Sequence, residues 1–255
     1  NCIITSHLPI VESGYHIISF RHNLLKMMRT PCSLTDRWSV AVEKQVGILH
    51  LGIIPDDDGQ SSASSTPGSY QHHCEYWGLA FERAVAVGGS RPFCTVVSTS
   101  IGNTKLLLGA EVDCATHLTD PPRLDTYVEL KTHSKRAFDS FVRYKALAVW
   151  TQCFLAGIPK VIVALRDDNG LVDKDGIKTF SVPQLPGLVN SRQQQVPWTP
   201  DQLLTWLDDL LMWLRKETEG APDRTHWKLV YNGHFVSLHR YDSGTSTSSS
   251  FSSSS

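Results

Sequence analysis

The sequence lacks the motifs of several large enzyme classes. It contains no Walker A loop and no G-x-G-x-x-G, and Ser90 does not lie in a G-x-S-x-G elbow. A nucleoside-triphosphatase, a Rossmann enzyme or an α/β-hydrolase therefore has no support. The six cysteines, at positions 2, 32, 74, 94, 114 and 153, form no C-x-x-C and no Cys/His pair at zinc-finger spacing. We expect reduced thiols in an intracellular protein.

A strong net charge and an unbroken membrane-length apolar run are also missing. The formal net charge is -1, which gives no hint of a basic stripe but leaves room for local positive potential or metal ions. The most apolar stretch, residues 144–165, is interrupted by Lys145, Gln152 and Pro159, so it predicts a helix, a turn and a buried strand. The first residues lack a basic segment followed by a long apolar core, so we predict no signal peptide.

What is present is an alternation of strand and helix patterns. With 255 residues, 41% of them hydrophobic, the chain can bury a sizeable core. We predict an α/β (mixed α+β) fold with mixed, mostly antiparallel β-sheets flanked by helices. The prediction is a single domain over residues 1–242, with a mobile loop at 55–69 and a disordered Ser-rich tail at 243–255.

The individual elements follow from periodicity and turn residues. Helices are predicted at 72–87, 135–155 and 199–220. The last has Thr199 and Gln202 in a capping-box pattern, and it is assigned to core packing. Predicted strands occupy paired segments within 38–54, three successive segments at 93–102, 105–115 and 126–132, a segment at 160–167, and a hairpin at 227–241.

Two predicted strands carry acids at a spacing of two. Glu111 and Asp113 share one face of the first strand, and Glu129 and Lys131 share one face of the second, in TYVELKT. If the two strands pair as antiparallel neighbours, the four side chains converge on one patch. Three carboxylates placed together repel one another, and a hard divalent cation such as Mg²⁺ or Mn²⁺ is the natural counter-charge.

This D…E-x-K arrangement resembles the PD-(D/E)xK nuclease superfamily, in which metal-held acids activate a water against a phosphate. The pattern alone is also typical of an exposed, salt-bridged strand face. Further motifs in the same chain distinguish the two. They are Phe20-Arg21, Gly78-Leu79-Ala80-Phe81-Glu82, Glu111-Val112-Asp113, Glu129-Leu130-Lys131, and W-x-Q-x-F-L-x-G-x-P from Trp150 to Pro159.

Taken in order, these motifs resemble the DXO/RAI family of RNA 5′-end decapping nucleases, in a fungal-type member, over roughly residues 20 to 240. The resemblance implies a divalent metal, Mg²⁺ or Mn²⁺. Its direct ligands would be Glu82, Asp113 and Glu129 with the main-chain carbonyl of Leu130. Glu111 would reach the metal through water.

The same resemblance implies how substrate is held. Lys131 and Gln152 would hold the scissile phosphate and the first nucleotide, and Arg21 would bind an RNA or cap phosphate. Glu75, seven residues before Glu82, matches a further acid of the pocket. His22 replaces the small residue expected after Arg21, which affects which 5′ end fits. The implied catalytic set is Asp113, Glu129, Lys131 and Gln152.

The implied function is metal-dependent quality control at RNA 5′ ends. It covers decapping of incompletely methylated and NAD-capped RNA, pyrophosphate release from 5′-triphosphate RNA, and 5′→3′ exoribonuclease action in some members. The alternative is a stabilising partner of a 5′→3′ exoribonuclease, with weak or no catalysis. A DNA nuclease would share E-x-K but not the Gln152 helix motif. Family analogy implies a nuclear protein, with the cytoplasm as the alternative, and no membrane partner.

Overall fold

A computed structural model describes residues 13–33, 35–52, 68–86, 93–190, 198–241 and 248–251. Most of the predicted mobile loop at 55–69 lies outside these residues. No helix within the described ranges combines the length and apolarity that a membrane crossing requires. The chain divides into two compact units, the first comprising residues 1–59, 96–110 and 198–255, and the second residues 60–95 and 111–197. The predicted single domain over 1–242 stays a prediction.

The first unit is built around an eight-stranded sheet, in which β4 and β5 each have one end in the second unit. Most neighbours are antiparallel, but β1 pairs in parallel with both β3 and β5. The sheet order is β12-β11-β10-β2-β3-β1-β5-β4. Its strands are β1 (Ile17–Phe20), β2 (Trp38–Gln45), β3 (Ile48–Gly52), β4 (Phe93–Ile101), β5 (Thr104–Val112), β10 (His226–Tyr231), β11 (Val236–Tyr241) and β12 (Ser248–Phe251).

Two helices belong to this unit. Helix α1 (Arg21–Arg29) follows β1 directly, and α6 (Pro200–Glu217) begins at the predicted capping box of Thr199 and Gln202. The leucine stripe of α6 is fully buried, as its helical spacing predicts. The indole of Trp206 donates to the carbonyl of Met27 at 2.9 Å, which joins α6 to the end of α1.

The C-terminal tail corrects one prediction. Residues 248–251 are not disordered, because they form β12 and pair antiparallel with β11. The side chain of Phe251 packs against Trp206 and Trp213 of α6, with ring centroids 5.4 Å and 5.5 Å apart. The low complexity of the tail gave no indication of this edge strand. Its aromatic residue, Phe251, packs on α6.

The second unit holds a four-stranded sheet in the order β6-β7-β8-β9. Strand β7 pairs antiparallel with β6 and in parallel with β8, and β8 pairs antiparallel with β9. The strands are β6 (Cys114–Ala115), β7 (Tyr127–Ser134), β8 (Lys160–Arg166) and β9 (Val172–Ser181). The helices are α2 (Tyr70–Val85), α3 (Phe138–Ser140), α4 (Ala146–Ala156) and α5 (Leu185–Asn190). These mixed sheets with flanking helices confirm the predicted fold class.

The helix predicted over 135–155 is interrupted near its start. A 3₁₀ turn at Lys135–Ala137 leads into α3, and residues Phe141–Lys145 form a π-helical turn before α4 begins. We call Phe141–Lys145 the π turn. Helix α4 ends at Gly157, whose φ of 67° is the left-handed conformation that terminates helices. Periodicity alone could not show the extra residue per turn that a π turn contains.

Candidate active site

Strand β7 carries a buried carboxylate that accepts two hydrogen bonds. The side chain of Glu129 is fully buried, and its Oε1 accepts from the ammonium of Lys131, two residues along the same face. The amide Nε2 of Gln152, on α4, donates to the same oxygen at 2.5 Å. The structure thus brings together three residues that the motifs assigned to one site. An acid and a base can lie side by side on this strand because each provides the hydrogen-bond partner and the counter-charge that the other needs.

Asp113 lies on the neighbouring segment, between β5 and β6. Its Oδ2 accepts from the backbone N–H of Leu130 at 2.8 Å and lies 3.8 Å from the Lys131 ammonium. The predicted antiparallel pairing of the two acidic segments holds only for β6, where Cys114 faces Val128. Asp113 therefore reaches the site through the short β6 pairing.

The third acid, Glu82, is carried by α2, and its pKa is raised. Desolvation raises the pKa of Glu82 most, and the charges of Asp113 and Glu111 add to this, while Lys131 opposes it. Glu111, near the end of β5, is solvent-exposed. The raised pKa thus reflects the partial burial of Glu82 first and the nearby carboxylates second.

Helix α2 docks mainly through aromatic and cationic groups. It has no fully buried side chain. Arg166, buried on β8, places its guanidinium carbon 4.1 Å from the centroid of the Trp77 ring. Its Nη2 donates to the hydroxyl of Tyr70 at 3.2 Å and to the Sγ of Cys74 at 3.0 Å. Arg166 therefore fixes the helix that carries Glu82.

Lys131 supplies positive charge to this cluster. Burial by itself would lower the pKa of Lys131, but Glu129 and Asp113 outweigh it, and the net pKa is raised. Among the described residues, no three His, Cys, Asp or Glu side chains come close enough to hold a metal ion together. The metal-ligand roles of Glu82, Asp113, Glu129, Leu130 and Glu111 therefore stay predictions. The donors suit a hard divalent cation in kind, because all are oxygens.

Arg21 and Glu75 are the two remaining residues that the motifs predicted to bind substrate. Arg21 is buried at the start of α1 in the first unit, whereas the other site residues belong to the second. Glu75, exposed on α2, accepts from the amide of Gln71 at 3.3 Å. The roles of Arg21 and Glu75 stay predictions.

Sequence reasoning missed His133. It follows Lys131 by two on β7, so period-two alternation could have placed it on the face of Glu129. Its Nε2 lies 2.9 Å from the carbonyl of Ala137 and 3.0 Å from the hydroxyl of Ser140. Burial lowers the pKa of His133, and the charges of Lys145 and Arg166 lower it further. His133 thus extends the polar face of β7 toward the π turn.

The second unit also contains a cavity lined by Asp113 and by Val128 and Leu130, which point to the opposite face of β7 from Glu129 and Lys131. Its volume is about 780 Å³. Most of its remaining lining is apolar or aromatic, including Phe93, Leu118 and Tyr127. The edge of Phe93 packs on Tyr127 with ring centroids 6.1 Å apart. A mainly apolar cavity with a few polar groups is typical of small-molecule and nucleotide sites.

Comparison with known proteins now identifies the family. The model of the family described as "RAI1 like PD-(D/E)XK nuclease" matches residues 10–254. The decapping nuclease din1 of Schizosaccharomyces pombe is 26% identical, over 88% of this chain and 74% of its own length. The human decapping and exoribonuclease protein is 31% identical, over 78% of this chain and 55% of its own length. The chain thus spans little more than half of the human relative.

Solved structures of fungal Rai1 proteins are similar to this chain in fold. The crystal structure of S. pombe Rai1 in complex with 3′-FADP matches 89% of this chain and 72% of that one, with a TM-score of 0.71 and 27% identity. Candida albicans Rai1 in complex with pU5 and Mn²⁺ matches 90% of this chain and 70% of that one, with a TM-score of 0.75 and 25% identity. The fold, the order of motifs and the Glu129–Lys131–Gln152 contact all point the same way: this chain belongs to the family of RAI1-like PD-(D/E)XK nucleases.

Proposed function

We propose that this chain is a metal-dependent hydrolase of RNA 5′ ends. The observation that carries the proposal is the convergence of Lys131 and Gln152 on the buried Glu129, with Asp113 beside them. Relatives named as decapping nucleases, and one named as a decapping and exoribonuclease protein, support this reaction class. The chemistry is that of a hydrolase acting on phosphodiester or phosphoanhydride bonds.

The residues suggest a division of labour. Glu82, Asp113 and Glu129 would hold a divalent cation, which when bound polarises the phosphate and activates water. The C. albicans relative, crystallised with Mn²⁺ and an RNA, supports this cofactor class. Glu129 aligns the Lys131 ammonium and the Gln152 amide. These two donors then face the non-bridging oxygens, where negative charge develops.

The proposed substrates are RNAs with a 5′-triphosphate, an incompletely methylated cap or an NAD cap. We also propose 5′→3′ exoribonuclease action as a second use of the same centre. By family analogy we also propose association with a separate exoribonuclease and a nuclear location.

The test is hydrolysis of three end-labelled RNAs that carry these three 5′ ends, each with Mg²⁺ or Mn²⁺. Glu129→Gln keeps the shape of the side chain and removes its charge, so hydrolysis should fall by at least about 10²-fold. The matched control is Asp125→Asn, an exposed acid paired with Arg123, which should retain wild-type rates. If folded wild-type protein with metal cleaves none of the three ends, the enzyme proposal fails and the partner alternative stands.

A further inference from the structure

The π turn exposes an aromatic side chain between two cations. Tyr144 is 68% solvent-exposed, and the guanidinium carbon of Arg143 lies 5.9 Å from its ring centroid. Lys145 is exposed as well. π turns are rare and occur frequently at functional sites. An exposed aromatic ring flanked by cations is the combination that binds single-stranded nucleic acid, through base stacking and phosphate contacts.

The π turn lies on the same side of the second unit as the catalytic face. Lys145 precedes Gln152 by seven residues, or about two turns of α4, so the two share a helix face. The charge of Lys145 lowers the pKa of His133, which lies on the Glu129 face of β7. The ring of His133 in turn packs edge-on against Phe141, the first residue of the π turn, at 5.6 Å. His133 therefore connects the Glu129 face of β7 to the π turn through its contact with Phe141.

The two cations of the π turn differ from those exposed cations of this unit that are paired with acids. Within the described ranges, neither Arg143 nor Lys145 forms an ion pair with a carboxylate. Three other exposed cations of the unit do so at 2.6 to 2.7 Å: Arg123 with Asp125, Lys135 with Asp173, and Arg136 with Asp168. Two cations without an acidic partner, next to an exposed ring, suit an anionic ligand that is itself aromatic.

We propose that Arg143, Tyr144 and Lys145 bind the body of the RNA, downstream of the 5′ end whose phosphate reacts at Glu129 and Gln152. The inference rests on the proposed function. Seven residues of α-helix separate Lys145 from Gln152 by about 10 Å. At a stacked spacing of about 3.4 Å per nucleotide, this places the π turn about three nucleotides from the reacting phosphate. Tyr144 stacks on a base, and Arg143 and Lys145 meet the adjacent phosphates.

Binding is measured first, without turnover. A fluorescent ten-nucleotide RNA with a 5′-phosphate is titrated with each protein in EDTA, and its anisotropy gives Kd. Tyr144→Ala should weaken binding at least about fivefold, because it removes one stacked base. Tyr144→Phe keeps the ring and should bind like wild type. Equal Kd values for Tyr144→Ala and wild type would overturn the stacking role.

Salt dependence tests the two cations. Arg143→Gln/Lys145→Gln should make the slope of log Kd against log salt shallower by about 1.4, which is 0.7 for each lost phosphate contact on a single strand. The matched control is Lys135→Gln/Arg136→Gln, which removes the same charge from cations that already pair with acids. Equal slopes for these two double variants would overturn the phosphate role and favour a protein ligand for the π turn.

Hydrolysis separates this inference from the function on which it rests. The ratio of kcat/KM for a ten-nucleotide 5′-triphosphate RNA to that for the matching dinucleotide should fall at least about fivefold in Tyr144→Ala. If wild-type protein binds the RNA through Tyr144 but hydrolyses neither RNA, the proposed function fails and the binding site stands. If it hydrolyses both and the ratio is unchanged, the binding site is wrong and the function stands.

Discussion

Lys131→Met removes the positive charge that the buried carboxylate of Glu129 meets in metal-free protein. Breaking a buried ion pair by removal of one partner costs about 3–5 kcal/mol, because the other charge stays desolvated. The Lys131 side chain is 32% exposed while that of Glu129 is fully buried. Water can replace part of the lost contact, so we expect the lower end, a loss of about 3 kcal/mol in the free energy of unfolding.

The double variant Glu129→Gln/Lys131→Met should be more stable than Lys131→Met alone. With the carboxylate replaced by an amide, no buried charge is left, and the side-chain oxygen can still accept from Gln152. The remaining cost is that of one lost neutral hydrogen bond, about 1 kcal/mol. The second substitution should therefore restore about 2 kcal/mol.

Urea denaturation in EDTA, followed by circular dichroism and tryptophan fluorescence, measures these differences. Lys135→Met removes a solvent-exposed pair with Asp173 and should change stability little. Mg²⁺ should stabilise Lys131→Met more than wild type, because the cation supplies the missing charge. Strict additivity of the two single substitutions would refute the reasoning, since it would mean that the charges of Glu129 and Lys131 do not interact.

Three further changes test other parts of the structure. Gln152→Ala should lower kcat for 5′-end hydrolysis by about 10²-fold, as expected for one lost donor to the reacting phosphate, in the same end-labelled assay. Burial, then the charges of Arg215 and Lys105, lower the pKa of His16. Wild-type stability should therefore fall as pH drops below the ordinary histidine value of 6.5 towards the folded-state pKa, and His16→Asn should flatten this profile in urea titrations. Phe251→Ala should cost about 2 kcal/mol, less than a fully buried Phe, with a change in tryptophan fluorescence.

Much of the site could be predicted because its motifs are local. Period-two alternation placed Glu129 and Lys131 on one face of β7, and helical spacing placed Gln152 on the same helix face as Lys145. The capping box at Thr199 fixed the start of α6 for the same reason. Each of these inferences needed only residues within two turns or one strand of one another.

The remainder depends on contacts between distant segments. The local sequence of the Ser-rich tail does not indicate that it pairs with β11. Nor does it indicate that Phe251 packs against tryptophans of α6. Arg166 resembles any charged residue at a strand end, and only the packing of α2 on β8 shows its contact with Trp77. The π turn differs from an α-helix by a single hydrogen-bond register, which composition does not reveal.

The way in which α2 docks has a consequence for how the acids of the site are held. Asp113 and Glu129 are fixed by a backbone hydrogen bond and by the core of a sheet. Glu82 is carried by a helix with no fully buried side chain, held near Arg166 by a stacked ring. If these three acids hold the proposed cation, two of the ligands are held rigidly and the third depends on how α2 is docked. The contact of Trp77 with Arg166 would then contribute to metal affinity without touching the cation.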